Sequence, residues 1–201
     1  MLDLLEKGGF LVIPILGCSV LSLTIFMERC FRFFLWKRQK KEIGVNICAY
    51  LRKKDVSSAL KIALESKSPL GRVLAKAIEV IKQDRETIET VLLHAIEEEV
   101  DRFSKYLQVL ATIGNVTPLL GLLGTVIGMI KAFMVIEEMG GKVNASVLAG
   151  GIWEAMLTTA LGLAVALPTM LAHSYLVAQV NKLEAKLRDG SVEFIKVLSV
   201  F

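Results

Sequence analysis

A single carboxylate, Glu154, interrupts an otherwise uncharged run that extends from Val143 to Asn181. Placing a charged side chain at the centre of a membrane-spanning helix costs about 3 kcal/mol on insertion scales, so such a residue generally faces protein or a water-filled cavity. Its type suits one chemistry, reversible binding of a proton on a path across the membrane. The alternative is a protonated glutamate that only hydrogen-bonds a neighbouring helix, or one close enough to the outer surface to be solvated. Thr158 lies one turn on and shares its face, whereas an ideal helix rotates Thr159 about 140° away from it. Thr159, Gly162, Ala166, Thr169 and His173 form an adjacent seam at alternating three- and four-residue spacing. Small and hydroxyl-bearing residues on a seam let helices approach closely and can line a pore. Taken alone, the threonines also fit a packing role in which each hydroxyl bonds its own backbone.

A second uncharged run, Tyr106 to Ile130, carries a matching seam of Gly114, Pro118, Gly121, Thr125 and Gly128, with a GxxxG at Gly124 and Gly128. Pro118 and Pro168 each free a backbone carbonyl, tolerable inside lipid only where protein or water satisfies it. Lys131, at the end of this run, is read as snorkelling toward the outer surface, with no part in the chemistry. Other chemistries find no footing. His94 and His173 stand far apart with no HExxH or GxSxG spacing, and no Walker A or Rossmann glycine pattern occurs. No cofactor or metal is expected, and nothing points to an enzyme. Cys18, Cys30 and Cys48 are an odd set without CxxC spacing and read as small apolar filler. The net charge of +4 includes no dense basic arm and no nucleic-acid-binding motif.

These residues must be held by elements that suit lipid. The chain is 54% hydrophobic with a mean hydropathy of +0.57, and its apolar residues concentrate in Gly8–Met27, Tyr106–Ile130 and Val143–Asn181. At ~1.5 Å per residue each run can cross a hydrocarbon core about 30 Å thick. Three transmembrane helices in an all-α membrane protein are predicted. Positive charge follows the first run instead of preceding it, so that run is read as a retained anchor and not a cleaved leader. Most of the 24 Lys and Arg fall between the first two runs, led by Arg29, Arg32, Lys37, Arg38, Lys40 and Lys41. The outer loops hold little beyond Lys7 and Lys142. This asymmetry predicts an external N-terminus, an internal middle segment and an internal C-terminus.

The middle segment reads as helical, from apolar spacing at Val73, Ala77, Ile78 and Ile81 and at Ile88, Leu92, Ala95, Ile96 and Val100. Pro69 suits a first helical turn and Asp84 an N-cap. From Arg85 to about Glu137 only Pro118 disturbs the pattern, which predicts one helix of roughly 50 residues, ~75 Å long. The third run is expected to continue inward through Leu183 and Leu187 until Gly190 interrupts it. Large apolar residues are few in the middle segment, which therefore reads as membrane-helix extensions packed on each other. The resulting division is 1–35 for the N-terminus and first span, 36–105 for the cytoplasmic helical segment and 106–136 for the second span. A short periplasmic loop follows at 137–149, then the third span at 150–178 and a cytoplasmic C-terminal helix at 179–201.

At Thr117–Gly128 (TPLLGLLGTVIG) and Gly151–Pro168 (GIWEAMLTTALGLAVALP) the sequence resembles the ExbB/TolQ family, distantly related to the flagellar stator protein MotA. The resemblance covers most of the chain. It implies a proton-channel subunit in the inner membrane of a bacterium with an outer membrane, five copies of which surround the spans of two ExbD/TolR-like chains. It places the family's pore glutamate on Glu154 and its pore threonines on Thr125 and Thr159, selecting Thr159 over the Thr158 that helical geometry prefers. Pro118, Gly121, Gly124, Gly128, Gly162 and Pro168 become packing or kink positions. Proton flow would drive movement of the partner and work on a TonB- or TolA-like protein, in transport or envelope maintenance. The short N-terminus leans away from ExbB proteins with a long outer extension, and three spans argue against a true MotA, which has four. A non-conducting membrane scaffold and a MotA-like flagellar or gliding stator subunit are the competing readings, and protons are favoured over sodium.

Overall fold

The computed structural model describes residues 10–38, 43–139 and 145–199, and every regular element among them is an α-helix. In chain order these are α1 (Val12–Arg38), α2 (Ile43–Arg52), α3 (Val56–Glu65), α4 (Pro69–Glu79), α5 (Arg85–Ser104), α6 (Leu107–Glu138) and α7 (Ala145–Leu198). Three stretches, Val12–Trp36, Leu107–Glu138 and Leu148–Leu198, are long and apolar enough to cross a membrane, as the three uncharged runs predict. Lys7, Gly8, the basic pair Lys40 and Lys41, and Lys142 and Val143 lie outside the described residues.

The helices divide between two compact units, one of residues 1–28 and 106–175 and the other of 29–105 and 176–201. In the first unit, hydroxyls inside the apolar helices bond carbonyls of their own helix. Ser22 donates to the Ser19 carbonyl, Thr24 to Val20, Thr117 to Ile113 and Thr169 to Val165. Such back-bonding satisfies polar side chains without water. Two of these threonines adjoin prolines that lie inside helices, Pro118 in α6 and Pro168 in α7.

In the second unit, α2 to α5 and the C-terminal part of α7 enclose a hydrophobic core that includes Ile47, Leu51, Leu74, Leu92, Leu183, Leu187 and Phe194. Ala59, Ala63, Ala75, Ala77 and Ala95 interleave with these and with Val73, Ile78, Ile88, Ile96 and Val197, so that small side chains complete the core between larger ones. A close-packed core needs matched volumes, not large side chains. The segment is thus a small helical unit with its own core, and not only a set of membrane-helix extensions. Asp55, Ser68 and Asp84 cap α3, α4 and α5 by accepting from the backbone N–H of Ser58, Gly71 and Thr87, with Pro69 at the start of α4. Hydrogen bonds from the Ser58 and Thr87 side chains and N–H groups hold Asp55 and Asp84 below the usual carboxylate range. Buried Glu99 receives both Arg72 (2.8 Å from Nε) and Arg102 (3.2 Å), and buried Arg29 donates to the Arg102 carbonyl at 3.0 Å.

Two expectations are corrected. The single helix predicted from Arg85 to about Glu137 is two, α5 and α6, because Lys105 turns out of helical geometry and Tyr106 adopts a left-handed backbone at φ 68°. That conformation costs a non-glycine residue about 1–2 kcal/mol. No glycine or proline marks the break, and the apolar spacing of Val100, Phe103, Leu107 and Leu110 runs straight through it. Gly190 likewise does not interrupt α7, which continues to Leu198. A Cβ there would lie 2.6 Å from Leu70 Cδ1, so this glycine permits a close approach inside the helical unit.

Candidate functional site

The candidate site lies where α6 packs antiparallel on α7, and small residues decide how closely the two approach. A Cβ on Gly162 would lie 2.9 Å from the Thr117 carbonyl oxygen and 3.2 Å from Gly121 Cα. A Cβ on Gly128 would lie 3.0 Å from that of Ala155, and one on Gly151 2.7 Å from that of Ala132. The contacts therefore follow one antiparallel register, from Gly114 against Met170 down to Ala132 against Gly151. Both sequence seams meet here. The Thr159 hydroxyl donates to the Gly121 carbonyl at 3.0 Å, while Thr158, bonded to the Ala155 carbonyl at 2.8 Å, reaches the same Gly121 oxygen at 3.5 Å.

One turn from these threonines the close packing continues, with a Cβ on Gly124 unable to fit beside the Thr158 side chain. Gly124 and Gly128 present no side chain on one face of α6, and Glu154 and Thr158 stand one turn apart on the facing side of α7. Together with Phe10 and Lys131 they line a cavity of about 260 Å³. Glu154 is 31% exposed, and its Oε1 lies 3.8 Å from Lys131 Nζ. The predicted snorkelling of Lys131 is thus only part of its placement. Its side chain is 60% exposed, and the ammonium at its tip also faces the carboxylate. Such a site can exchange a proton for an ion pair.

Not all the sequence-predicted site residues converge on this cavity. Thr125 is half-buried and donates to the Leu122 carbonyl at 2.7 Å, and neither it nor Thr159 is among the described lining residues. Gly124 and Gly128 line it, whereas Gly121 and Gly162 meet backbone against backbone at the crossing. Pro168 instead borders a separate cavity of about 510 Å³ with Ser19, Ser22 and Phe26 of α1. Lys131 is the residue that sequence reasoning placed elsewhere. Among the described residues no group of His, Cys, Asp or Glu is arranged to hold a metal ion.

The sequence model of the MotA/TolQ/ExbB proton channel family matches residues 65–189, a stretch that contains both α6 and the Glu154 part of α7. The biopolymer transport protein exbB1 of Vibrio cholerae is 30% identical over 188 residues, covering 92% of this chain and 82% of the relative. Biopolymer transport protein ExbB of Salmonella typhimurium is 28% identical over 197 residues, 94% of this chain and 80% of the relative. The Tol-Pal system protein TolQ of Haemophilus influenzae is 35% identical over 105 residues, 52% of this chain and 45% of the relative.

Proposed function

The chain belongs to the MotA/TolQ/ExbB proton channel family, and from that premise we propose that it is the proton-conducting subunit of an inner-membrane motor of the ExbB–ExbD or TolQ–TolR type. The observation that carries this reading is the Glu154 carboxylate, set in a cavity between the apolar helices α6 and α7 beside Lys131 and Thr158. Five copies would surround the single spans of ExbD/TolR-like chains, with the N-terminus periplasmic and the C-terminus cytoplasmic. Of the relatives named above, those aligned over most of their length carry the ExbB name. That favours work on a TonB-like protein over a TolA-like one.

In this mechanism a proton enters from the outer side and binds Glu154. It then passes to a carboxylate supplied by the single-span partner and leaves toward the cytoplasm. Thr125 and Thr159 supply polar positions along the route. Neutralising Glu154 changes which position around the ring the partner's carboxylate prefers, so ordered protonation moves the partner stepwise. A potential of 100 mV provides ~2.3 kcal/mol for each charge moved, enough to bias such a step.

The test is reconstitution with the single-span partner in liposomes carrying a pH gradient, comparing the wild type with Glu154→Gln. Dissipation should require the partner and fall to the level of protein-free vesicles in the variant. Dissipation no faster than in protein-free vesicles by both assemblies would leave a non-conducting scaffold held together by its small-residue seams, and equal, faster dissipation would mean a path that does not pass through Glu154.

A further inference from the structure

The proton path just described makes no use of Lys131, although its ammonium stands 3.8 Å from the Glu154 carboxylate and lines the same cavity. Resting on that reading of the path, we propose that Lys131 is a selectivity residue that keeps sodium and other metal cations off the Glu154 carboxylate while leaving proton transfer open.

The argument starts from what each ion does on arrival. A proton forms a covalent O–H bond at a carboxylate oxygen and cancels its charge. The ion pair then dissolves, and the ammonium turns toward the open side of the cavity, on a side chain that is already 60% exposed. The four-carbon lysine stem permits that swing without moving the backbone. A sodium ion instead keeps its full charge and has to exchange water for several oxygen ligands. Among the described side chains lining the cavity, only the Glu154 carboxylate and the Thr158 hydroxyl offer it oxygen, fewer than a sodium shell needs. Glu154 and Lys131 together carry no net charge, so the cavity has no surplus negative potential to draw a metal cation in. Any cation bound at Glu154 would also sit beside a like charge in a partly water-excluded site, where repulsion is stronger than in bulk.

The helix crossing keeps this competitor in place. Lys131 follows Gly128 by three residues, and at Gly128 and Ala132 the α6 backbone is held against Ala155 and Gly151. The ammonium is therefore a tethered cation at high local concentration, which free sodium must displace. Lysine suits the task because a proton transferred to Glu154 needs no ligand shell.

The experiment uses the assembly purified with its single-span partner in liposomes, with proton flux read by an internal pH dye and sodium flux by radioactive sodium uptake. Lys131→Gln should raise the ratio of sodium to proton flux at least ~tenfold over the wild type, as expected for removing a like charge at this separation. Lys131→Arg should keep the wild-type ratio. A second reading needs no variant, because external sodium should not slow proton flux through the wild-type assembly. Lys131→Gln with a wild-type ratio, or competition by sodium in the wild type, would overturn the proposal. Glu154→Gln is the separate arm. Undiminished proton flux in that variant overturns the path through Glu154, whereas its loss alongside an unchanged Lys131→Gln ratio overturns only the role of Lys131.

Discussion

A carboxylate within an apolar helix is sustained by its immediate neighbours. Glu154 retains a partly open surface and a positive charge at 3.8 Å, both of which offset the ~3 kcal/mol cost of its position. The contrast with Glu99 is instructive. That carboxylate is 3% exposed and is held by Arg72 and Arg102, which leaves it little freedom to exchange partners. Glu154 has one looser partner and a cavity, the arrangement a transfer site needs. A different residue tests the packing of the helical unit. Cys48 is buried, and burial, reinforced by the Glu193 charge and opposed by Arg52, pushes its thiol above the usual range. The raised value keeps the thiol protonated to higher pH, so its alkylation should need a higher pH than that of an unfolded cysteine. In a chain with Cys18 and Cys30 replaced by serine, iodoacetamide at pH 8 should react with Cys48 at least ~tenfold more slowly than in denaturant. Equal rates would mean that α2 does not pack as described.

At the scale of elements, the α6–α7 crossing depends on missing side chains. Backbone atoms surround the place where a Gly162 Cβ would stand, and backbone cannot rotate out of the way. Gly162→Ala should therefore push the helices apart, break the Thr159–Gly121 hydrogen bond and cost about 1–3 kcal/mol, the usual range for overpacking. Gly150 meets nothing within 4 Å, so Gly150→Ala should be neutral. Thermal melting of the detergent-purified assembly would distinguish the two, and equal melting temperatures would contradict the close crossing. The seams themselves were legible in the sequence, because glycine, threonine and alanine at three- and four-residue spacing mark a face whatever it meets. The break at Lys105 and Tyr106 was not. It follows from a left-handed tyrosine backbone, which neither composition nor periodicity marks.

At the scale of the whole molecule, large apolar side chains stand exposed along the three spanning helices, among them Leu23 and Phe31 of α1, Leu119 and Phe133 of α6, and Trp153 and Leu171 of α7. A lipid phase or further copies must cover them, since exposed apolar area on this scale is not tolerated in water. The proposed orientation makes a direct prediction. Lys61 is exposed in the helical unit and falls in the segment assigned to the cytoplasm. In a chain freed of native cysteines, Lys61→Cys should resist a membrane-impermeant maleimide in intact spheroplasts and react fully once the cells are lysed. Labelling before lysis would reverse the topology.

The sequence by itself determined the all-helical membrane class, the three spans, the isolated carboxylate and the two small-residue faces. Each follows from local quantities, the hydropathy of a run or the angular spacing of residues on one helix. Only the tertiary structure decided that Lys131 faces Glu154, that Gly124 and Gly128 of α6 share their cavity, and that Arg72 reaches Glu99. Helical periodicity identifies which residues share a face. It says nothing of the register in which that face meets another, and the chemistry of this site is set by register.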